Sequence, residues 1–134
     1  MLYLDGNIWI ANEDIDGVAV VDVSTGLIND IVSAHRPVWL HYDKNSNLIF
    51  VSSRKKHWEG CVYAIDPVKK KVVSSYSNNR MDHPSGMTTH GDVLYVALND
   101  LGDVLTFNIT STKFLKTLLS DFMGEIEQII MTDC

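Results

Sequence analysis

The sequence predicts an all-β fold assembled from one repeated unit of four short strands. Three observations support this prediction: an aromatic strand that recurs at a nearly constant interval, turn signals about every ten residues, and no ten-residue stretch with clear helical periodicity. The aromatic residues are Trp9, Phe50 and Tyr95, which are 41 and 45 positions apart. Intervals of this length are typical of four-stranded propeller blades.

The innermost strands are predicted at the start of the sequence, at each of two prolines, and in the tail. Strands tolerate proline at their first residue, so Pro37 and Pro84 mark the starts of two such strands. The predicted innermost strands are Met1–Leu4, Pro37–Tyr42, Pro84–Thr89 and, in the tail, Ile126–Thr132.

Apolar runs with an aromatic residue second form the next strand of each unit. These runs are Ile8–Asn12, Ile49–Ser53 and Leu94–Leu98. The third strands end in Asp or Asn, whose side chains can bond the backbone two residues on and so begin a turn. They are Val18–Asp22, Val62–Asp66 and Val104–Asn108. The last strands alternate poorly between polar and apolar residues, which is typical of the outer edge, and are Leu27–Val32, Val72–Ser77 and Phe114–Leu119.

The repeat gives one domain over residues 1–134, with approximate units 1–34, 35–81, 82–123 and the start of a further unit in 124–134. The fold prediction is therefore a partial β-propeller of about three four-stranded antiparallel blades, with incomplete blades at both termini. An open arc of three blades presents apolar faces at its ends, and closed rings do not. We therefore expect self-association, or another chain that completes the propeller.

The chain resembles the YVTN family of β-propellers, with NHL and gluconolactonase-like propellers as neighbours. The residues that carry the resemblance are Trp9–Asn12, Tyr95–Ala97, the strands that end at Asp22 and Asp66, and His83–Met87. These motifs encode packing and turns, so they are informative about fold and say little about function. Such propellers have six or seven blades, and this sequence has about three.

The composition excludes one class of partner. With 17 acidic and 11 basic residues, the formal net charge is −6, which opposes the phosphate backbone of nucleic acids. No long apolar run or signal peptide is visible, and the two cysteines, Cys61 and Cys134, do not form a disulfide framework. A cytoplasmic protein with no membrane partner is therefore favoured.

The resemblance places ligand sites where the loops before the innermost strands meet the loops between the second and third strands. The candidate ligand-binding residues in those loops are His35, Arg36, Arg54, His57, Trp58, Arg80, Asp82, His83, Asn99 and Glu127. His35 and His83 lie beside equivalent prolines, so two imidazoles could share a metal or move protons; a turn role is commoner for such residues. Trp58, between basic residues on the longest of these loops, suits partner recognition, although it could equally fold onto the blade edge.

We therefore predict a non-enzymatic binding or scaffold segment that recognises a protein or small ligand at the loop mouth, with no cofactor. No nucleophile motif, phosphate loop or dinucleotide fingerprint is present, and no catalytic residue is assigned. One alternative is a metal-dependent hydrolase of a sugar lactone, for which the resemblance implies a divalent metal held by residues such as Asn99, Asp100 and Glu127. Another is a fragment of a larger propeller without independent activity.

Overall fold

A computed structural model describes residues 1–54, 60–99, 102–120 and 129–130. These residues form twelve strands and a single-turn 3₁₀ helix, Glu13–Ile15. The strands are β1 (Leu2–Leu4), β2 (Asn7–Asn12), β3 (Gly17–Asp22), β4 (Ile28–Ser33), β5 (Pro37–Asp43), β6 (Leu48–Ser53), β7 (Cys61–Asp66), β8 (Lys71–Tyr76), β9 (Pro84–His90), β10 (Val93–Leu98), β11 (Asp103–Asn108) and β12 (Phe114–Leu119).

The strands form three four-stranded antiparallel sheets, each built from four consecutive strands in the order in which they occur in the chain. The predicted strand order is confirmed in the first three units. The first strand of the first sheet has three residues, and its counterparts β5 and β9 have seven. For the innermost strand predicted at 126–132, only residues 129 and 130 are described, and they lie outside any strand, so that strand stays a prediction.

The turns between third and fourth strands are fixed by the residues predicted for them. The carboxylate of Asp22 accepts hydrogen bonds from the backbone of Ser24 at 2.7 Å and of Thr25 at 3.1 Å. Asp66 repeats the arrangement with Val68 and Lys69. Hydrogen bonds to a carboxylate favour its charged form and so lower its pKa. The pKa of Asp22 is lowered first by the Ser24 hydroxyl and then by the Ser24 amide. The pKa of Asp66 is lowered first by the Lys69 amide.

The sheets stack face to face, and each junction is a separate apolar cluster. At the first junction Trp9, Val18 and Val20 of the first sheet pack against Ile49 and Ile65 of the second. All five side chains are buried. We call the face turned toward the following sheet the trailing face, and the face turned toward the preceding sheet the leading face.

The second junction is built on aromatic contacts. Phe50 and Tyr76 on the trailing face of the second sheet meet Leu94 and Phe107 on the leading face of the third. The ring of Tyr76 packs edge-to-face on Phe50 at 5.7 Å and on Phe107 at 6.0 Å. Edge-to-face pairs of this kind contribute beyond their buried area.

The strand register shows why the aromatic repeat predicts the fold. Trp9, Phe50 and Tyr95 pair with the third-strand residues Val20, Ala64 and Thr106, so all three aromatic residues occupy the same position of their sheets. Since side chains alternate between the two faces of a strand, each aromatic residue lies on its sheet's trailing face. One sheet position is thus repeated three times along the chain.

Candidate functional site

The sequence places its candidate residues in loops at one end of the stacked sheets. Of the ten, His57, Trp58 and Glu127 lie outside the described residues. The other seven fall into two groups, one at each junction between sheets.

At the first junction, Arg36 connects the loop before β5 to the loop after β2. Its backbone amide donates to the Asp16 carboxylate at 2.9 Å, and its guanidinium lies 3.7 Å from the Glu13 carboxylate. The His35 ring nitrogen Nδ1 is 3.5 Å from the same Asp16 carboxylate. The side chains of Arg36 and His35 remain 41% and 48% exposed, so they are held in place while still open to solvent.

Arg54 adds a second backbone contact to this group. Its amide donates to the Arg36 carbonyl at 3.1 Å. The Nε atom of Arg54 is buried and has no hydrogen-bond partner among the described residues. Three of the candidate residues, His35, Arg36 and Arg54, are therefore brought together at this junction.

At the second junction, Asp82 is buried and its carboxylate lies 2.6 Å from the Nδ1 atom of His83. The carboxylate and the imidazole are therefore in direct contact. The His83 carbonyl accepts from the Asn99 amide at 3.1 Å, which repeats the bond between Arg36 and Arg54.

Arg80 pairs with a carboxylate that the sequence did not single out. Its guanidinium donates to Asp103 at 2.7 Å, and the Asp103 side chain is fully buried while that of Arg80 is half exposed. Removing the arginine would leave this carboxylate buried without its cationic partner, an arrangement that proteins avoid. The guanidinium of Arg80 is thus held by a buried carboxylate, while half of the Arg80 side chain remains exposed.

The expected equivalence of His35 and His83 is wrong by one position. The residues immediately before the two prolines are Arg36 and His83, and they share a left-handed backbone with φ of 41° and 44°. The counterpart of His35 is therefore Asp82, which is buried while His35 is exposed. The two imidazoles belong to different junctions and do not occupy the same place in their blades.

The described part of the chain contains no group of three or more His, Cys, Asp or Glu side chains placed to hold a metal ion. Of the residues considered for a lactonase-type metal, Asn99 is described, and Asp100 and Glu127 lie outside the described residues. No helix in the described ranges is long and apolar enough to span a membrane.

A further polar network was not anticipated from the sequence. His41 on β5 and Thr89 on β9 meet across the second junction, with the Nε2 atom of His41 3.0 Å from the Thr89 hydroxyl. That hydroxyl donates to the Asp43 carboxylate at 2.9 Å. Burial lowers the pKa of His41, and the neighbouring Asp43 acts in the opposite direction.

The corresponding positions of the first junction are apolar, which marks the network as specific to the second. Pairing with Trp9 and Phe50 makes Leu2 the counterpart of His41, and pairing with Ile49 and Leu94 makes Tyr42 the counterpart of Thr89. By the same register, Leu2, Leu4 and Tyr42 face one another at the first junction and pack on its apolar cluster. The alternation of His41 and Asp43 on one strand face was the available sequence signal.

No protein-family model matches the chain, and no curated protein matches it in sequence. Several solved structures share its fold. A Kuenenia stuttgartiensis hydrazine synthase chain matches 84% of this chain and 33% of its own length at 17% identity, with a TM-score of 0.70. A structure of RRP9 WD40 repeats matches 85% of this chain and 35% of its own at 15% identity and TM-score 0.70. The computationally designed Ika4 protein matches 98% and 77% at 13% identity and TM-score 0.72.

This chain thus spans about a third of the hydrazine synthase and WD40 chains that it matches. WD40 repeats are four-stranded propeller blades. Together with the three stacked four-stranded sheets, the match confirms the partial β-propeller. At these identities the likeness concerns the fold alone, and the resemblance to the YVTN, NHL and gluconolactonase-like types stays a prediction.

Proposed function

We propose that residues 1–134 form one propeller segment that acts as a binding or scaffold module and recognises a protein or small ligand at its loop mouth. The observation that carries this proposal is the state of Arg36 and Arg80. Each is anchored by a partner in the same chain and leaves about half of its side chain exposed. Preorganised side chains of this kind bind with little loss of conformational entropy.

The chemistry of the two arginines indicates the kind of ligand. Guanidinium groups recognise carboxylate and phosphate oxygens through paired hydrogen bonds, and arginine is enriched among residues that dominate binding interfaces. His35 adds a further nitrogen beside Arg36. An acidic peptide segment or a small carboxylate is therefore the favoured ligand at the mouth.

Thermal unfolding in the presence of a panel of acidic peptides and small carboxylates tests this proposal. We expect at least one ligand to raise the melting temperature, because binding to the folded state alone stabilises it. The double variant Arg36→Gln and Arg80→Gln should lose that shift. The control variant Lys69→Gln and Lys71→Gln, which removes two charges from a β7–β8 turn, should keep it. A shift that survives the arginine variant, or a panel that gives none, would contradict the proposal.

A scaffold role also implies a partner that covers the open ends of the arc, either a second copy or another chain. The second candidate function, a metal-dependent lactonase, would instead require a divalent ion to stabilise the chain. Titration with Ca²⁺ and Mg²⁺ that leaves the melting temperature unchanged would count against the hydrolase.

A further inference from the structure

Most of the basic side chains that the structure describes at the loop mouth lie beside a carboxylate of the same chain. The distances are 3.5 Å from His35 to Asp16, 3.7 Å from Arg36 to Glu13, 2.7 Å from Arg80 to Asp103 and 2.6 Å from His83 to Asp82. The positive charges of Arg36 and Arg80 are therefore each matched by an acidic side chain before any ligand binds.

Arg54 is the exception among these basic residues. Its side chain forms no ion pair within the described part of the chain, and its Nε donor is buried without an acceptor there. Arginine does not lose its proton in proteins, so the charge of Arg54 remains unmatched. Buried donors without an acceptor are rare and unfavourable in folded proteins, and a bound ion is one physical reason to keep such a group.

The backbone of Arg54 is fixed beside the loop that carries Arg36. The Arg54 amide donates to the Arg36 carbonyl at 3.1 Å, and the Ser53 hydroxyl donates to the His35 carbonyl. The Arg54 side chain is partly exposed. An unmatched cation is thus attached to a fixed backbone, with no ion pair of its own that a ligand would have to break.

The second junction has no equivalent cation among the described residues. Asn99 takes the place of Arg54, since its amide donates to the carbonyl of His83, the residue before Pro84. Asn99 is uncharged, and Asp82 beside His83 is buried and acidic. The unmatched positive charge therefore belongs to the first junction alone in this part of the chain.

We infer that Arg54 binds the carboxylate of the ligand at the loop mouth, with its guanidinium turned from its position in the unliganded chain toward the carboxylate oxygens. Guanidinium groups hold carboxylates through two parallel hydrogen bonds, so the ligand supplies the acceptor that the chain does not. The inference rests on the proposed binding function. Arg36 and Arg80 contribute hydrogen bonds to the ligand, and Arg54 contributes the unmatched charge.

Thermal unfolding and titration with two probes, succinate and a blocked tetraglutamate peptide, test this role. Arg54→Gln should weaken binding of the probe at least about tenfold and so remove most of its shift in melting temperature. Arg54→Lys keeps the charge but not the paired N–H geometry, so it should recover only part of the shift. Lys44→Gln is the matched control: it removes one positive charge from the exposed β5–β6 turn and should keep the shift.

A measurement without ligand separates binding from a structural role. Arg54→Met removes a buried donor that lacks an acceptor, so the melting temperature should not fall. Arg80→Met should lower it, because Asp103 would stay buried without its cation. A fall for Arg54→Met as large as that for Arg80→Met would make Arg54 a structural residue and overturn the inference.

The outcomes distinguish this inference from the proposed function. A shift that survives Arg54→Gln but is lost in the double variant Arg36→Gln and Arg80→Gln overturns the inference and leaves the binding function standing. Equal losses for Arg54→Gln and Lys44→Gln also overturn it, because overall charge would then explain the attraction. No shift with either probe overturns both.

Discussion

The Tyr76 hydroxyl donates a 2.7 Å hydrogen bond to the Ile109 carbonyl, and this bond ties the outermost strand of the second blade to the third. The ring of Tyr76 has no exposed surface. Burial also raises the pKa of its hydroxyl, because the charged form loses hydration. One side chain thus supplies both apolar packing and a polar bond at this junction.

Tyr76→Phe should keep the edge-to-face packing on Phe50 and Phe107 and remove only the hydrogen bond. We expect the free energy of unfolding to fall by about 1–3 kcal/mol, because the Ile109 carbonyl would stay buried without its partner. Urea unfolding measures the change. Tyr42→Phe is the control: its hydroxyl bonds Asn47 at an exposed site, so its loss should cost much less. Equal losses for the two variants would contradict this explanation of the junction.

His41 should make stability depend on pH in the range where histidines titrate. Burial lowers the pKa of His41 in the folded chain, whereas in the unfolded chain it is about 6.5. As the pH falls below about 6.5, the unfolded chain binds a proton at His41 that the folded chain does not, so stability decreases. The contribution is fully present above the unfolded pKa and is lost on acidification.

Melting temperatures at intervals between about pH 7.5 and 5 would measure this dependence above the range in which ordinary carboxyls titrate. His41→Gln should flatten the curve, because glutamine can still donate to Thr89 but does not titrate. His90→Gln, at an exposed position, should leave the curve unchanged. A curve that His41→Gln does not alter would assign the pH dependence to other groups.

The strands were predictable from the sequence, because propeller blades repeat both composition and register. The turn residues Asp22 and Asp66 depend on interactions within one blade, and Trp9, Phe50 and Tyr95 repeat one position of the sheet. Such interactions recur wherever the local sequence recurs, so a single chain reveals them by comparison with itself.

The polar network of the second junction was not predictable in the same way. His41 and Thr89 are 48 positions apart and meet only because two blades stack. The alternation of His41 and Asp43 shows that one strand face is polar, but it does not identify Thr89 as the partner, and the first junction fills the same positions with Leu2, Leu4 and Tyr42. The one-residue error in aligning His35 with His83 has a similar origin. In the sequence, nearness to a proline aligns the two histidines. The left-handed backbone shared by Arg36 and His83 shows that these two residues are the equivalent ones.

Gly60 should not tolerate a side chain. A Cβ atom there would lie 2.3 Å from the Pro84 ring and 2.8 Å from the Met81 carbonyl oxygen. The Gly60 amide already donates to that carbonyl at 2.6 Å, so the backbone cannot easily move away. Gly60→Ala should lower the free energy of unfolding by about 1–3 kcal/mol.

The matched control for Gly60 is Gly17→Ala. Its closest contact would be the γ2 methyl group of the half-exposed Ile31 side chain at 2.7 Å, and the nearest backbone atom, the Val32 carbonyl oxygen, would lie at 3.2 Å. The loss measured by urea unfolding should therefore be smaller than for Gly60→Ala. A smaller loss at Gly60 than at Gly17 would show that the loop before β7 is not closely packed on β9.

Thr112 offers a stabilising substitution. It has φ of 65° at the turn position that Gly26 fills in the first blade, with φ of 71°. A left-handed backbone costs a non-glycine residue about 1–2 kcal/mol. Glycine avoids this cost, but it loses more conformational entropy on folding, which offsets part of the gain. Thr112→Gly should therefore raise the free energy of unfolding by about 0.5–1 kcal/mol. Lys69 does not have a positive φ, so Lys69→Gly should lower the free energy of unfolding slightly. If Lys69→Gly stabilised the chain and Thr112→Gly destabilised it, the backbone at Thr112 would not be strained.

Thermal unfolding of the unmodified chain with acidic peptides and small carboxylates tests most directly whether its loop mouth binds a ligand. We expect at least one of these ligands to raise the melting temperature, and the variant Arg36→Gln and Arg80→Gln to lose that shift. A panel that gives no shift, or a shift that survives in the variant, would contradict the binding function.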